Sequence, residues 1–195
     1  MAVEGLILAA GFSSRAGGFK MELPLGERTV LEWCIAGLAP VCDRLIVVGG
    51  YRIEKVRAIV DRYPQVELVE NSGYATGMFS SVKLGAARIR GERFLLTPGD
   101  YPLLKPEVCR QLLTVDAPIA IPTFGGRKGH PVAMAGALAR ELEAEPDDSN
   151  LRDFIGRQGF TPVTVADDGI LLDVDTPEDY RRLLKRVRQG GADHG

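Results

Sequence analysis

Unbroken apolar runs alternate along this chain with segments whose apolar residues recur every three or four positions. Residues 3–9 (VEGLILA) stop at Ala10-Gly11, and residues 44–50 (RLIVVGG) and 93–100 (RFLLTPGD) repeat that design. Short apolar runs closed by Gly or Pro predict strands buried on both faces. Between them TVLEWCIAGL (29–38), IEKVRAIVDRY (53–63) and GMFSSVKLGAARI (77–89) carry helical spacing, and VELVE (66–70) adds a shorter strand. Such alternation predicts right-handed crossovers and a mainly parallel, twisted sheet with helices on both sides, an α/β fold.

Beyond residue 104 the rhythm continues with a helix in KPEVCRQLL, a strand in APIAIPTF and a Gly-rich basic turn, GGRKGHP, which suits a hairpin or small lobe before the apolar segment VAMAGAL. A helix around 149–157, a strand near TPVTV, the segment ILLDVD and an amphipathic helix PEDYRRLLKRV follow. With no internal repeat or Pro-rich linker, the expectation is a single domain over residues 1–188 and a disordered tail at 189–195.

Composition narrows the function classes. At 195 residues with 45% hydrophobic and 26% charged positions, the chain can bury its own core, which excludes a disordered or fibrous protein. Lys and Arg number 24 against 26 Asp and Glu, a formal net of −2, so no overall basic field attracts nucleic acid or an anionic membrane. Cys34, Cys42 and Cys109 lack metal-binding spacing and sit among apolar neighbours, so reduced thiols are expected. No apolar run reaches the roughly 18 residues of a membrane span, and the start lacks the charged region of a signal peptide; a cytoplasmic location follows as the default.

In open α/β sheets, ligands bind beyond the carboxyl ends of the strands. Three such places are chemically loaded. The first is the small-residue loop from Leu8 through Ala9, Ala10 and Gly11 to Lys20, with Arg15 and Lys20 as its only cations; close backbone approach, free amides and two positive charges suit a polyphosphate. It is neither a P-loop nor a GxGxxG turn, and an exposed turn has the same composition. The second is Thr97-Pro98-Gly99-Asp100-Tyr101-Pro102, where a strand delivers one carboxylate to the rim. That suffices for Mg²⁺, which keeps waters and substrate phosphates in its shell, although ordinary Gly-Asp turns look alike. The third, Asp173-Val174-Asp175-Thr176-Pro177, offers two carboxylates on one face of an extended segment; Asp175 or Thr176 also suits the cap of the last helix. More weakly, Arg127, Lys128 and His130 form a basic loop fit for an anionic substrate or for plain solvation. Ser80 and Ser81 are placed to donate to a ligand or to close a first helical turn. Without GxSxG, and with His130 the sole imidazole outside the tail, a hydrolase triad has little support.

Taken in order, LAAGFSSRAGGFK, GMFSSVKLGA, TPGDYPLL, GGRKGHPVAM and LLDVDTPEDY resemble the nucleotidyltransferases of molybdenum-cofactor maturation, and within them the cytidylyltransferases, over about residues 5 to 182. The resemblance implies a Rossmann-like nucleotidyltransferase sandwich related to the glycosyltransferase-A fold. It implies that Arg15 and Lys20 meet the phosphates of CTP, with Leu8, Ala9, Ala10, Gly11, Ser80, Ser81 and Pro98 along the nucleotide. Asp100 and Asp175, with Asp173 beside them, would hold Mg²⁺ or Mn²⁺, and Arg127, Lys128 and His130 would face molybdopterin. Ala10 stands where guanylyl-transferring relatives carry Gly, so the resemblance favours CTP. It further implies a molybdoenzyme or its maturation chaperone as partner. The chain departs from the pattern at Ala16, where the family usually has Met, and at Tyr101, where the cytidylyl group often has Gln.

The implied reaction moves CMP to the terminal phosphate of molybdopterin, with Arg15, Lys20 and Asp100 as catalytic residues. Positioning and charge neutralisation dominate because a phosphate nucleophile is already anionic. The rivals are transfer to a sugar phosphate, a polyol phosphate or another pterin, use of GTP, and a non-catalytic cofactor carrier or chaperone. A carrier has no need of Arg15, Lys20, Asp100 and Asp175 together.

Overall fold

The computed structural model describes residues 1–12 and 18–190. Strand β1 (Val3–Ala9) leads through the first loop to a small hairpin, β2 (Pro24–Leu25) and β3 (Arg28–Thr29), and to helix α1 (Val30–Leu38). Then come β4 (Arg44–Gly49), α2 (Ile53–Val60), β5 (Val66–Glu70), α3 (Met78–Ala86), β6 (Arg93–Pro98) and α4 (Pro106–Leu113). The second half holds β7 (Ile119–Phe124), β8 (Arg127–Lys128), β9 (Val132–Ala135), α5 (Leu138–Ala144), α6 (Leu151–Gln158), β10 (Thr161–Thr164) and α7 (Pro177–Gly190).

The main sheet runs β10-β7-β9-β6-β1-β4-β5, with β8 paired to β7. Strands β6, β1, β4 and β5 are mutually parallel, as the apolar runs predicted. The departure is β9, which lies antiparallel between β6 and β7. The chain reaches β9 from β7 through a hairpin rather than a helical crossover, and a hairpin reverses direction. Its turn is Gly125-Gly126, with φ of +56° and +76°, the pair of positive values that a two-residue hairpin demands and that glycine tolerates.

Side-chain alternation along β1 splits the interior into two layers. Ile7 and Ala9 enter a core completed by α1, α2 and α4, whereas Leu6 and Leu8 enter one completed by α3, α5 and α6. Cys34 and Cys109 belong to the first core, and burial pushes the Cys109 thiol up to about 12. A smaller cluster of Leu25, Val30, Val174 and Leu183 seats α7 on the β2–β3 hairpin. The buried Glu4 carboxylate accepts from the amides of Arg90 (2.6 Å) and Gly91 (2.8 Å) and pairs with Arg44 at 2.9 Å, tying β1 to β4 and to the turn before β6.

Two features escape the sequence pattern, and one expected helix outruns it. The β2–β3 hairpin has two residues per strand, too short for periodicity to register. Helix α5 follows the apolar run VAMAGAL so closely that strand and helix merge in the sequence. Helix α7 continues to Gly190, two residues into the expected tail; residues 191–195 lie outside the described residues.

Candidate active site

The carboxyl ends of β1 and β6 lie side by side, Leu8 in register with Pro98, and the Gly99 amide donates to the Leu8 carbonyl at 2.8 Å. That pairing carries Asp100 out to the sheet rim. The Val174 amide donates to the Asp100 carbonyl at 3.0 Å, which draws the segment before α7 against the same rim. Thr176 caps α7 by accepting from the Asp179 amide while Asp179 accepts from the Thr176 amide, a reciprocal cap. Capping therefore falls to Thr176, and Asp175 turns to Lys20.

Lys20 begins a short 3-10 turn, Lys20–Glu22, pinned on either side by buried Phe19 and Met21. Its ammonium donates to Asp100 Oδ2 at 3.0 Å and to Asp175 Oδ1 at 2.8 Å. Residues 80 and 155 positions apart in sequence from Lys20 thus meet at one nitrogen. Asp173 completes the group: one oxygen from each of Asp100, Asp173 and Asp175 lies within 4.8 Å of the others.

The electrostatics follow from packing acid into a half-buried rim. Burial pushes the Asp100 carboxyl above its ordinary range against the pull of Lys20, and Asp175 adds to that push. Burial and then the Asp100 charge raise Asp173 in the same way. Burial alone would lower the Lys20 ammonium, but the hydrogen bond to Asp175 and the Asp100 charge outweigh it, and the net shift is upward. Asp100 Oδ1 is buried with no hydrogen-bond partner among the described residues. A hard, partly desolvated oxygen set with an unsatisfied atom fits a divalent cation such as Mg²⁺ or Mn²⁺.

A cavity of about 410 Å³ opens beside this group. Leu8, Ala10, Gly11, Lys20, Ser81, Pro98 and Asp100 line it, which brings most of the sequence-assigned nucleotide residues to one place. Ala9 is the exception, since alternation along β1 buries its side chain in the first core. Ser80 is another: its hydroxyl donates to the Gly77 carbonyl at 2.8 Å, and it lines a neighbouring cavity. Arg15 lies outside the described residues. Phe12, Met21, Tyr74 and Met78 also line the cavity and were not singled out in the sequence. Phe12 packs on Tyr74 and Tyr51, with ring centres 5.2 and 5.5 Å apart. Asn71 was also missed, although it directly follows β5 and so obeys the strand-end rule. Buried, it donates to both Ser80 and Ser81 at 2.9 Å and orients the cavity serine.

A second cavity, of about 450 Å³, shares Leu8, Met78 and Pro98 with the first. Lys128 and His130 line it, whereas Arg127 is exposed on β8. The His130 ring meets Tyr101 edge-on at 4.6 Å, and burial pulls its imidazole down to about 4, so it is neutral at pH 7.

Comparison with known proteins agrees with this geometry. The family model of the MobA-like NTP transferase domain matches residues 5–163. A molybdenum cofactor cytidylyltransferase of Escherichia coli is 31% identical over 96% of this chain and 98% of its own. A Mycobacterium tuberculosis protein, Rv0371c, solved in complex with manganese, is 28% identical and superposes with a TM-score of 0.77 over 95% of this chain and 99% of its own. A nucleotidyl transferase from Methanothermobacter shares the fold, with a TM-score of 0.86 at 23% identity over 97% of this chain and 99% of its own.

Proposed function

From the premise that the chain belongs to the MobA-like NTP transferase family, and is thus a nucleotidyltransferase, we propose that it transfers CMP from CTP to the terminal phosphate of molybdopterin. The observation that carries this reading is the Lys20 ammonium held between Asp100 and Asp175 in the wall of a small-residue cavity. That arrangement offers a triphosphate a cation and a divalent ion a set of carboxylates. CTP is favoured by Ala10 in the cavity wall and by the cytidylyltransferase relative; molybdopterin is favoured by the same relative.

In this mechanism the nucleoside lies along Leu8, Ala10, Gly11 and Ser81, with the triphosphate directed toward Lys20 and Asp100. An acceptor phosphate oxygen attacks the α-phosphorus in line, the bond from α-phosphorus to the bridging oxygen breaks, and pyrophosphate leaves with the electron pair. Asp100, Asp173 and Asp175 would hold Mg²⁺ or Mn²⁺, which when bound would supply charge neutralisation for the phosphates. Lys20 moves from its carboxylate partners to the departing phosphates, and Arg15 contributes a second cation there. Lys128 and His130 face the acceptor, and Arg127 adds positive charge at the entrance. No residue acts as general base, because the nucleophile is already ionised. The reading includes recipient proteins, a molybdoenzyme or its maturation chaperone, and a cytoplasmic site of action.

The test is pyrophosphate release from molybdopterin with CTP, GTP, ATP or UTP in separate reactions, each with Mg²⁺ and with Mn²⁺. Release with CTP alone is expected. Release with GTP alone would discard the base assignment, and no release with any nucleotide would overturn transfer to this acceptor.

A further inference from the structure

Asn71 follows β5 directly, and its backbone is held on both sides: its amide donates to the Gly49 carbonyl at 2.8 Å, and its carbonyl accepts from the Tyr74 amide at 3.3 Å. The side chain is buried and has every hydrogen placed. Its Oδ1 accepts from the Gly73 amide at 2.9 Å; because a peptide N–H can only donate, the other end of the carboxamide is Nδ2. Nδ2 carries two hydrogens and donates to the Ser80 and Ser81 hydroxyls, each at 2.9 Å.

Both serine oxygens are therefore acceptors toward Asn71, and each hydroxyl keeps one proton of its own. Ser80 gives that proton to the Gly77 carbonyl at 2.8 Å. Ser81 has no acceptor for its proton among the described residues, although its side chain is only 2% exposed and lines the nucleotide cavity. A lone serine turns between donor and acceptor as its neighbour requires. Beside Asn71 that freedom is gone: an occupant offering an acceptor atom satisfies the hydroxyl, and one offering only a donor leaves a buried proton without a partner. Ribose hydroxyls rotate and either give or take a hydrogen bond, so a fixed donor selects nothing among them. The ring nitrogens and carbonyls of a base have fixed polarity, and there a fixed donor discriminates.

We propose that Asn71 is a positioning residue for nucleobase selection: by directing both amide hydrogens at Ser80 and Ser81, it fixes Ser81 as a hydrogen-bond donor to an acceptor atom of the base. The inference rests on the proposed use of this cavity by a nucleotide, and it is independent of the molecule that receives the nucleotidyl group.

The test is a double-mutant cycle on nucleotide binding, read by titration calorimetry on the full chain with Mg²⁺ and each of CTP, GTP, ATP and UTP, without molybdopterin. Asn71→Asp keeps the shape and the Gly73 contact, but a carboxylate only accepts, so Ser81 turns its proton inward. Ser81→Ala is expected to weaken the best-bound nucleotide about tenfold in the wild type and less than about twofold in the Asn71→Asp chain. Repulsion between the new carboxylate and the triphosphate is common to both members of the second comparison and cancels. Equal losses in the two backgrounds would mean that Ser81 acts without Asn71 and overturn the inference, as would wild-type affinity in Ser81→Ala. The Ser81→Ala loss is also expected to differ among the four bases; the same loss with all four would assign the hydroxyl to the shared sugar and overturn the selection. Asn71→Ala gives a second reading without added charge and without dependence on the folding of Asn71→Asp. With the carboxamide gone Ser81 is free to accept as well as donate, so the spread of affinities among the four nucleotides is expected to narrow, and an unchanged spread overturns the inference. Failure of the wild type to bind any nucleotide overturns it too. Absence of pyrophosphate release from molybdopterin and CTP, with binding and the cycle intact, overturns the proposed transfer alone.

Discussion

Lys20 is the residue on which the site turns. Its nitrogen donates to two carboxylates that burial would otherwise leave repelling each other, and Lys20 also lines the nucleotide cavity. Lys20→Met removes the charge but keeps an unbranched stem, so turnover is expected to fall by at least 10²-fold, with Mn²⁺ binding to the nucleotide-free protein becoming tighter as Asp100 and Asp175 lose the Lys20 ammonium. Unchanged Mn²⁺ affinity by titration calorimetry would refute that competition. Asp100→Ala should abolish turnover while the melting temperature holds, since the cost of burying the Asp100 charge offsets its bond from Lys20. His130 gives a residue-scale prediction in pH. Folded, its imidazole titrates near 4; unfolded, near 6.5. Between those values the unfolded chain binds the extra proton, so stability falls as pH drops from about 6.5 toward 4, by on the order of 3 kcal/mol in all. Urea melts of the wild type and His130→Phe across that window should diverge by this slope. Parallel curves would place the histidine's folded value near its unfolded one.

At the scale of elements, strand ends were legible and side-chain partners were not. The apolar runs ending at Ala10, Gly49 and Pro98 mark the rim from local pattern alone, because burial on both faces leaves no other reading of such runs. That Asp173 and Asp175 lie against Asp100 depends on the Val174 amide meeting the Asp100 carbonyl, a contact between distant segments that no spacing encodes. The hairpin at GGRKGHP was legible from its glycines, but the place of β9 between β6 and β7 rests on pairings between distant segments, which no spacing encodes. Glu4 tests how elements are tied. Glu4→Ala leaves two buried amides and the Arg44 guanidinium without their acceptor, and is expected to cost about 2–4 kcal/mol in chemical denaturation. A loss below about 0.5 kcal/mol would show that water replaces the carboxylate at that turn.

Across the whole molecule, the chain brings a lysine after β1, an aspartate after β6 and two aspartates before α7 to one edge, while the two cores behind them are closed and apolar. The fold therefore gathers three carboxylates at the rim, two of them bonded to Lys20, and a ligand pair that resolves that charge should stabilise the entire domain. A divalent ion alone meets the Lys20 ammonium among its ligands, and a triphosphate alone adds negative charge to a site already acidic. Bound together, the ion takes the carboxylates and the phosphates take Lys20. Thermal melts should thus show little shift with Mg²⁺ alone or CTP alone and a large one with both. A joint occupancy at 100 times the dissociation constant is worth about 2.7 kcal/mol, which for a domain of this size corresponds to roughly 5–10 °C. In Lys20→Met the excess of the joint shift over the separate ones should shrink, because the ion no longer has to displace an ammonium. Additive shifts in the wild type would mean that Lys20 and the ion occupy the carboxylates without competing.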